Sequence, residues 1–360
     1  MGIDLRFTDR DWARVEEAWL AWWAGELNRP LLIIEPPVQG LQLSGGYAGN
    51  FTSNFPLELP ADAVLDYYQQ RLEAARYYGD AFPRWWPNFG PGIVAGFLGA
   101  TVKCAPDTVW FEPAQDGAIA DLHPAYDPEN VWWRRVQDLT RAAVQRWGDR
   151  VAVCHTDLGG NLDILASLRG TQTLLMDLYD SPEEVARLTG EITRLWLRYY
   201  DELAADILPA GRGTTPWAPV WSPRGRCYML QSDFAYMISP EMFVRFVLPD
   251  LATCCDALDH AFYHLDGKGQ LVHLDALIAL ERLRGIQWVP GDGNPPPEQW
   301  PAVLKRIRDG GKLCQLFVTP EGARAIVRAL GGRGFAFYIE WTLPEDEING
   351  FLRTLALEDA

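Results

Sequence analysis

From residue 150 onward, short apolar runs alternate with amphipathic stretches, and this order constrains the fold more than any other feature. Strands are expected over 151–155, 217–221, 228–231, 260–265, 285–289, 313–318 and 335–339. Helices are expected between them, over 161–168, 181–205, 240–258, 271–280, 297–308 and 320–330. Units of this length mean parallel strands, because a parallel neighbour is reached only through a long crossover. The competing architecture, an open doubly wound sheet, usually carries a glycine-rich phosphate loop after a strand. No GxGxxG or GxxxxGK motif occurs in that position here. The expected fold is therefore α/β, a (β/α)₈ TIM barrel, as one domain over 1–360.

The first 150 residues show the same mixture with less regular spacing. Apolar residues at helical spacing over 9–28 (Trp12, Val15, Trp19, Trp22, Trp23) predict a helix, stopped by Asn28, Arg29 and Pro30. A buried strand follows at 31–34, then a loop over 36–60 rich in Gly, Pro, Ser and Asn. Another helix is expected over 61–79, a loop over 83–101, and a helix opened by Asp127-Pro128-Glu129 that runs to about Trp147. Long loops in compact domains usually act as lids or walls, so the N-terminal helices and loops are expected over the barrel mouth.

Charge narrows the partners. With 48 acids against 32 bases the net charge is −16, which repels nucleic-acid backbones and anionic membrane surfaces. No apolar run approaches the ~20 residues of a membrane helix. Asp4, Arg6, Asp9, Arg10 and Asp11 stand where a signal peptide would need an apolar stretch, so a cytoplasmic location is expected. The six cysteines show no CxxC spacing and read as buried small hydrophobes. Sixteen Trp, 13 Tyr and 15 Phe make the aromatic content high; most are expected in the core and some as pocket walls, with Trp217, Trp221, Trp288 and Trp341 the candidates.

In a barrel the chemistry lies where strands end and βα loops begin. The expected strand ends read His155-Thr156-Asp157 before Gly159-Gly160-Asn161, then Gln231-Ser232-Asp233, then His264-Leu265-Asp266-Gly267. Further on come Gln287-Trp288 leading into Gly291-Asp292-Gly293, and Glu340-Trp341. Carboxylates and histidines thus recur on one rim. His264 and Asp266 are two apart on a strand and point the same way, as a metal-ligand pair or a base with its orienting carboxylate would. His155 and Asp157 repeat the spacing. Each of these residues alone also suits a turn or a helix cap.

The segment Gln231-Ser-Asp-Phe-Ala-Tyr-Met-Ile-Ser-Pro-Glu-Met-Phe through Pro249-Asp250 resembles the uroporphyrinogen decarboxylase superfamily. So do Arg169-Gly170-Thr171, Leu175-Met176-Asp177-Leu178-Tyr179 and Ser181-Pro182-Glu183, and the likeness covers about 150–340. It implies a barrel, a small-molecule substrate and a homodimer. The decarboxylases' arginine-rich N-terminal segment is not found here, which argues against porphyrinogen decarboxylation. The corrinoid-linked methyltransferases carry His-x-Cys-Gly and a second Cys on the last strand, which together bind zinc. Here His264-Leu265-Asp266-Gly267 puts Asp266 at the first Cys, and the second falls near Glu340. By this resemblance His264, Asp266 and Glu340 would hold zinc, and any corrinoid would be carried by a separate protein.

The expected activity is demethylation of a small methylated donor. In it Asp157, Asp233 and His155 serve as catalytic groups, and Asn161, Gln287, Asp292 and the four tryptophans contact substrate. A metal-independent decarboxylase or lyase using carboxylates and His264 is the second reading. A non-catalytic ligand-binding protein is the third.

Overall fold

The computed structural model describes residues 3–38, 51–115, 117–342 and 344–357. Residues 39–50 of the loop expected over 36–60 therefore lie outside the described residues. The strands are β1 Leu31–Ile34, β2 Tyr78–Gly79, β3 Arg84–Trp85, β4 Thr101–Cys104, β5 Val109–Glu112 and β6 Ala152–Val153, followed by β7 Cys227–Gln231, β8 His260–Asp266, β9 Leu283–Val289, β10 Leu313–Val318 and β11 Phe335–Ile339. One sheet has the order β2-β1-β11-β10-β9-β8-β7, and all its pairings are parallel except β1 with β2. A separate parallel pair joins β3 to β6, and β4 with β5 forms an antiparallel hairpin. Mixed α/β architecture with a parallel sheet is thus confirmed, while the ladders leave gaps between β1 and β3 and between β6 and β7.

Expected and observed elements differ where local chemistry overrides the periodic pattern. The first helix, Asp9–Ala24, starts on a capping box in which Thr8 and Asp11 exchange hydrogen bonds. It ends at Gly25, before the expected Asn28, because Gly25 adopts φ 70° and turns the chain out of the helix. The helix expected over 240–258 is two helices, Pro240–Phe246 and Leu248–Ala257, broken where Pro249 cannot donate a backbone bond. No strand forms over 217–221; Thr215 Oγ1 closes this segment by donating to Val220 O at 2.9 Å.

The first helix also lies at the opposite end of the sheet from the expected one. Its Trp22 stacks on Phe262 at 5.9 Å and its Trp23 on His260 at 4.0 Å, both near the start of β8. Arg284 Nη2 donates to Trp23 O at 2.8 Å, anchoring the same end. Its face of Trp12, Trp19, Trp22 and Trp23 is almost wholly buried. Each indole removes roughly 150–250 Å² from water, so the helix goes where apolar surface awaits it. The polar strand ends offer none.

Candidate active site

The parallel ladders align four polar residues in one row. Gln231 on β7 is in register with His264 on β8, His264 with Gln287 on β9, and Gln287 with Gln315 on β10. Gln287 and Gln315 are fully buried. Gln287 Nε2 donates to Gln315 Oε1, and Gln315 Nε2 donates to Leu316 O at 3.1 Å. With its amide nitrogen so committed, Gln287 turns Oε1 to His264 Nδ1, which must donate the proton. That fixes the imidazole and leaves Nε2 facing Asp266 Oδ2 at 3.7 Å.

Asp233, His264 and Asp266 each offer one ligand atom, and these atoms lie within 4.8 Å of one another. No other group of three His, Cys, Asp or Glu ligand atoms gathers this closely among the described residues. Burial alone would lower the His264 pKa, but hydrogen bonding to Asp266 and the charges of Asp233 and Asp266 hold it above the usual value. Trp217 meets the His264 ring edge-on at 5.1 Å.

Asp233 is placed by a carboxylate that strand-end reasoning passes over. Asp163, in the first turn of helix Asn161–Arg169, accepts from Asp233 N at 2.9 Å and from Phe234 N at 2.7 Å. This clip fixes the start of the 3₁₀ turn Asp233–Met237. Burial raises the Asp163 carboxyl, and the charge of Asp233 raises it further. Desolvation raises Asp233 too, with the Asp266 charge reinforcing and the His264 charge opposing it, and its exposure to solvent softens the effect. Asp157, buried beneath them, is pushed up to about 7 by desolvation, against a hydrogen bond from Gly159 N at 2.9 Å. A cavity of about 590 Å³ opens against Asp163 and Asp233, walled by Phe111, Trp110, Phe234 and Met237.

Several expected site residues do other work. His155 is fully buried, stacks on Tyr200 at 4.3 Å, and neither ring nitrogen has a hydrogen-bond partner. Trp221 packs against Phe82 and Trp12 and donates to Arg212 O at 2.6 Å, in the core behind the first helix. Trp288 alternates with Gln287 and so faces outward onto Trp300, 5.5 Å away. Asn161 donates to Thr193 Oγ1 at 2.8 Å, inside a helix contact that also holds Asp250. Asp292 is exposed in the loop after β9, and Glu340 is exposed and outside the metal-sized group. Trp341 packs on Phe351 and lines a different cavity, beside Pro36 and Arg76.

The buried His155 gives a pH prediction. Burial lowers its pKa from 6.5 to about 3. Between those values the unfolded chain binds the extra proton, so this residue's share of stability falls as pH drops through that window. Replacing His155 by Phe keeps the stack and removes the proton site. Urea midpoints measured from pH 7 to pH 4 should then diverge, the variant gaining on the order of 3 kcal/mol over the parent at pH 4. Parallel midpoint curves would show that His155 reaches water.

By sequence, the chain matches no protein-family profile and no curated protein. By structure, it is similar to a methyltransferase from Methanosarcina mazei at a TM-score of 0.60 and 12% identity, covering 96% of this chain and 99% of that one. At that identity the shared property is the fold, held across nearly the whole length of both chains. Among the described residues no helix is long and apolar enough to cross a membrane.

Proposed function

We propose that this chain is a methyl-transfer enzyme on a closed (β/α)₈ barrel, with a zinc site at Asp233, His264 and Asp266. The observation that carries the reading is the group of three ligand atoms within 4.8 Å, one of them on a histidine whose ring is already oriented. The residues suit zinc: one imidazole nitrogen and two carboxylate oxygens leave a coordination position open for substrate. Asp233 replaces Glu340 in the set expected from sequence. Bound there, zinc would supply Lewis acidity for polarising an ether or hydroxyl oxygen of a small methylated donor. The chain's own groups do the rest. Asp163 holds Asp233 in place, Gln287 holds His264, and Trp217 limits the water around the ring. Asp157, with a carboxyl near 7, holds a proton and can return it at neutral pH. A corrinoid on a separate protein is the methyl acceptor that this reading favours.

Closure of the barrel is supported between β6 and β7 by hydrogen bonds through residues 214–215. His155 N donates to Thr215 O at 2.9 Å just after β6. Cys227 N donates to Thr214 Oγ1 at 2.6 Å, tying the same segment to β7.

Elemental analysis of protein purified without chelators tests the proposal. About one zinc per chain is expected, lost in both His264→Ala and Asp266→Ala. No metal in the parent protein would overturn the zinc site. It would favour the second reading, decarboxylation or lysis by acid–base chemistry, which rests on the raised carboxyls of Asp157, Asp163 and Asp233.

A further inference from the structure

We infer that a second cavity, of about 440 Å³, binds a small organic anion carrying a conjugated ring. It is lined by Arg71, Arg76, Arg84, Glu35, Tyr77 and Trp86, together with residues following β1. It contains none of the Asp233, His264 and Asp266 group, and the inference stands without the methyl-transfer reading.

The charge inside this cavity runs against the charge of the chain. Acids outnumber bases by 48 to 32 overall, yet three guanidinium groups here face one carboxylate. Arg84 takes that carboxylate, its Nε lying 3.4 Å from Glu35 Oε1. Arg76 spends Nη1 on the carbonyls of Ala74 and Ala75, at 2.9 and 2.8 Å, and has no carboxylate partner among the described residues. The Arg71 side chain has neither hydrogen bond nor ion pair among the described residues. In a chain with surplus acid, half-buried arginines left without carboxylates cost stability unless an anion enters.

A neutral donor fits the same ligand. The Tyr77 hydroxyl is kept protonated by burial, with the Glu35 charge acting in the same direction. The cavity thus sets guanidinium and phenol donors against one carboxylate, a match for a carboxylate or sulfonate. Its aromatic surfaces offer stacking and edge contacts to a flat ring. The volume falls in the roughly 300–1,000 Å³ range of small-molecule sites.

Calorimetric titration with benzoate, benzenesulfonate, benzamide and acetate tests the inference. Both ring anions should bind saturably, while benzamide (no charge) and acetate (no ring) should bind at least ~10-fold more weakly. The double variant Arg71→Gln/Arg76→Gln removes two charges that no carboxylate needs, so it should fold with a Tm no lower than the parent's and with unchanged metal content. Its benzoate affinity should fall roughly 10-fold or more. Equal binding of benzoate and benzamide, no binding of either ring anion, or full benzoate affinity in the double variant would overturn the site. Retained anion binding without zinc in the parent protein would leave this site standing and remove the metal proposal.

Discussion

Replacing Gly160 by alanine should lower stability by about 3 kcal/mol, seen as a fall in Tm of roughly 4 °C for a chain of this size. The added methyl would stand 2.2 Å from Gln231 O and 2.4 Å from Asp163 Oδ2. One neighbour is strand backbone and the other is the carboxylate that clips Asp233, so neither can yield cheaply. Relief by moving Asp163 would release Asp233, and metal content should fall with Tm. Gly190→Ala is the control: nothing lies within 4 Å of the added carbon in the middle of helix Pro182–Ile207. There the helix should gain up to about 1 kcal/mol. An unchanged Tm for Gly160→Ala would show that Gln231 and Asp163 yield to the methyl at little cost.

The second large effect is expected at Asp80, whose side chain is 1% exposed. Its carboxylate accepts from Arg29 Nη1 at 2.6 Å, Arg29 Nη2 at 2.9 Å and Leu32 N at 2.9 Å. Asp80→Ala would strand a buried backbone donor of β1 and a guanidinium that is itself 30% exposed. The exposed part of Arg29 keeps the loss near the lower end of the range for broken buried pairs, about 3 kcal/mol. Pairing the change with Arg29→Met should restore much of it, because the charge no longer needs its partner. Urea midpoints of the parent, both single variants and the double variant measure the coupling. A single-variant loss below about 1 kcal/mol would mean that water already reaches Asp80.

The second half of the sheet was legible in the sequence because its signals are local. Helix Pro320–Leu330 and strands β10 and β11 fall on the expected residues, each bounded by Gly or Pro or by a Thr cap. In the first half, β3 and β6 are two residues long, too short for any period to be read. The candidate site was legible where spacing alone brings side chains together, as with His264 and Asp266. It was not legible where register decides. Gln287 and Gln315 are ordinary mid-strand residues until the ladders put them in line with His264. Asp163 looks like a helix-face acid until the turn after β7 arrives above it. The alternation that aimed Gln287 inward sent Trp288 outward, and sequence gave no sign of which of the two faced the cleft.

The pairing of β1 with β11 also bears on how the chain acquires its structure. Leu31 lies opposite Ala336 and Ile34 opposite Ile339, so about 300 residues separate the partners. Contacts this distant in sequence slow folding, because the loop between them must be closed first. A chain emerging from the ribosome cannot seat β1 against its parallel neighbour until β11 has been made. Until then four tryptophans of the first helix have no completed sheet to cover, and they are the surface that a holding chaperone would meet first.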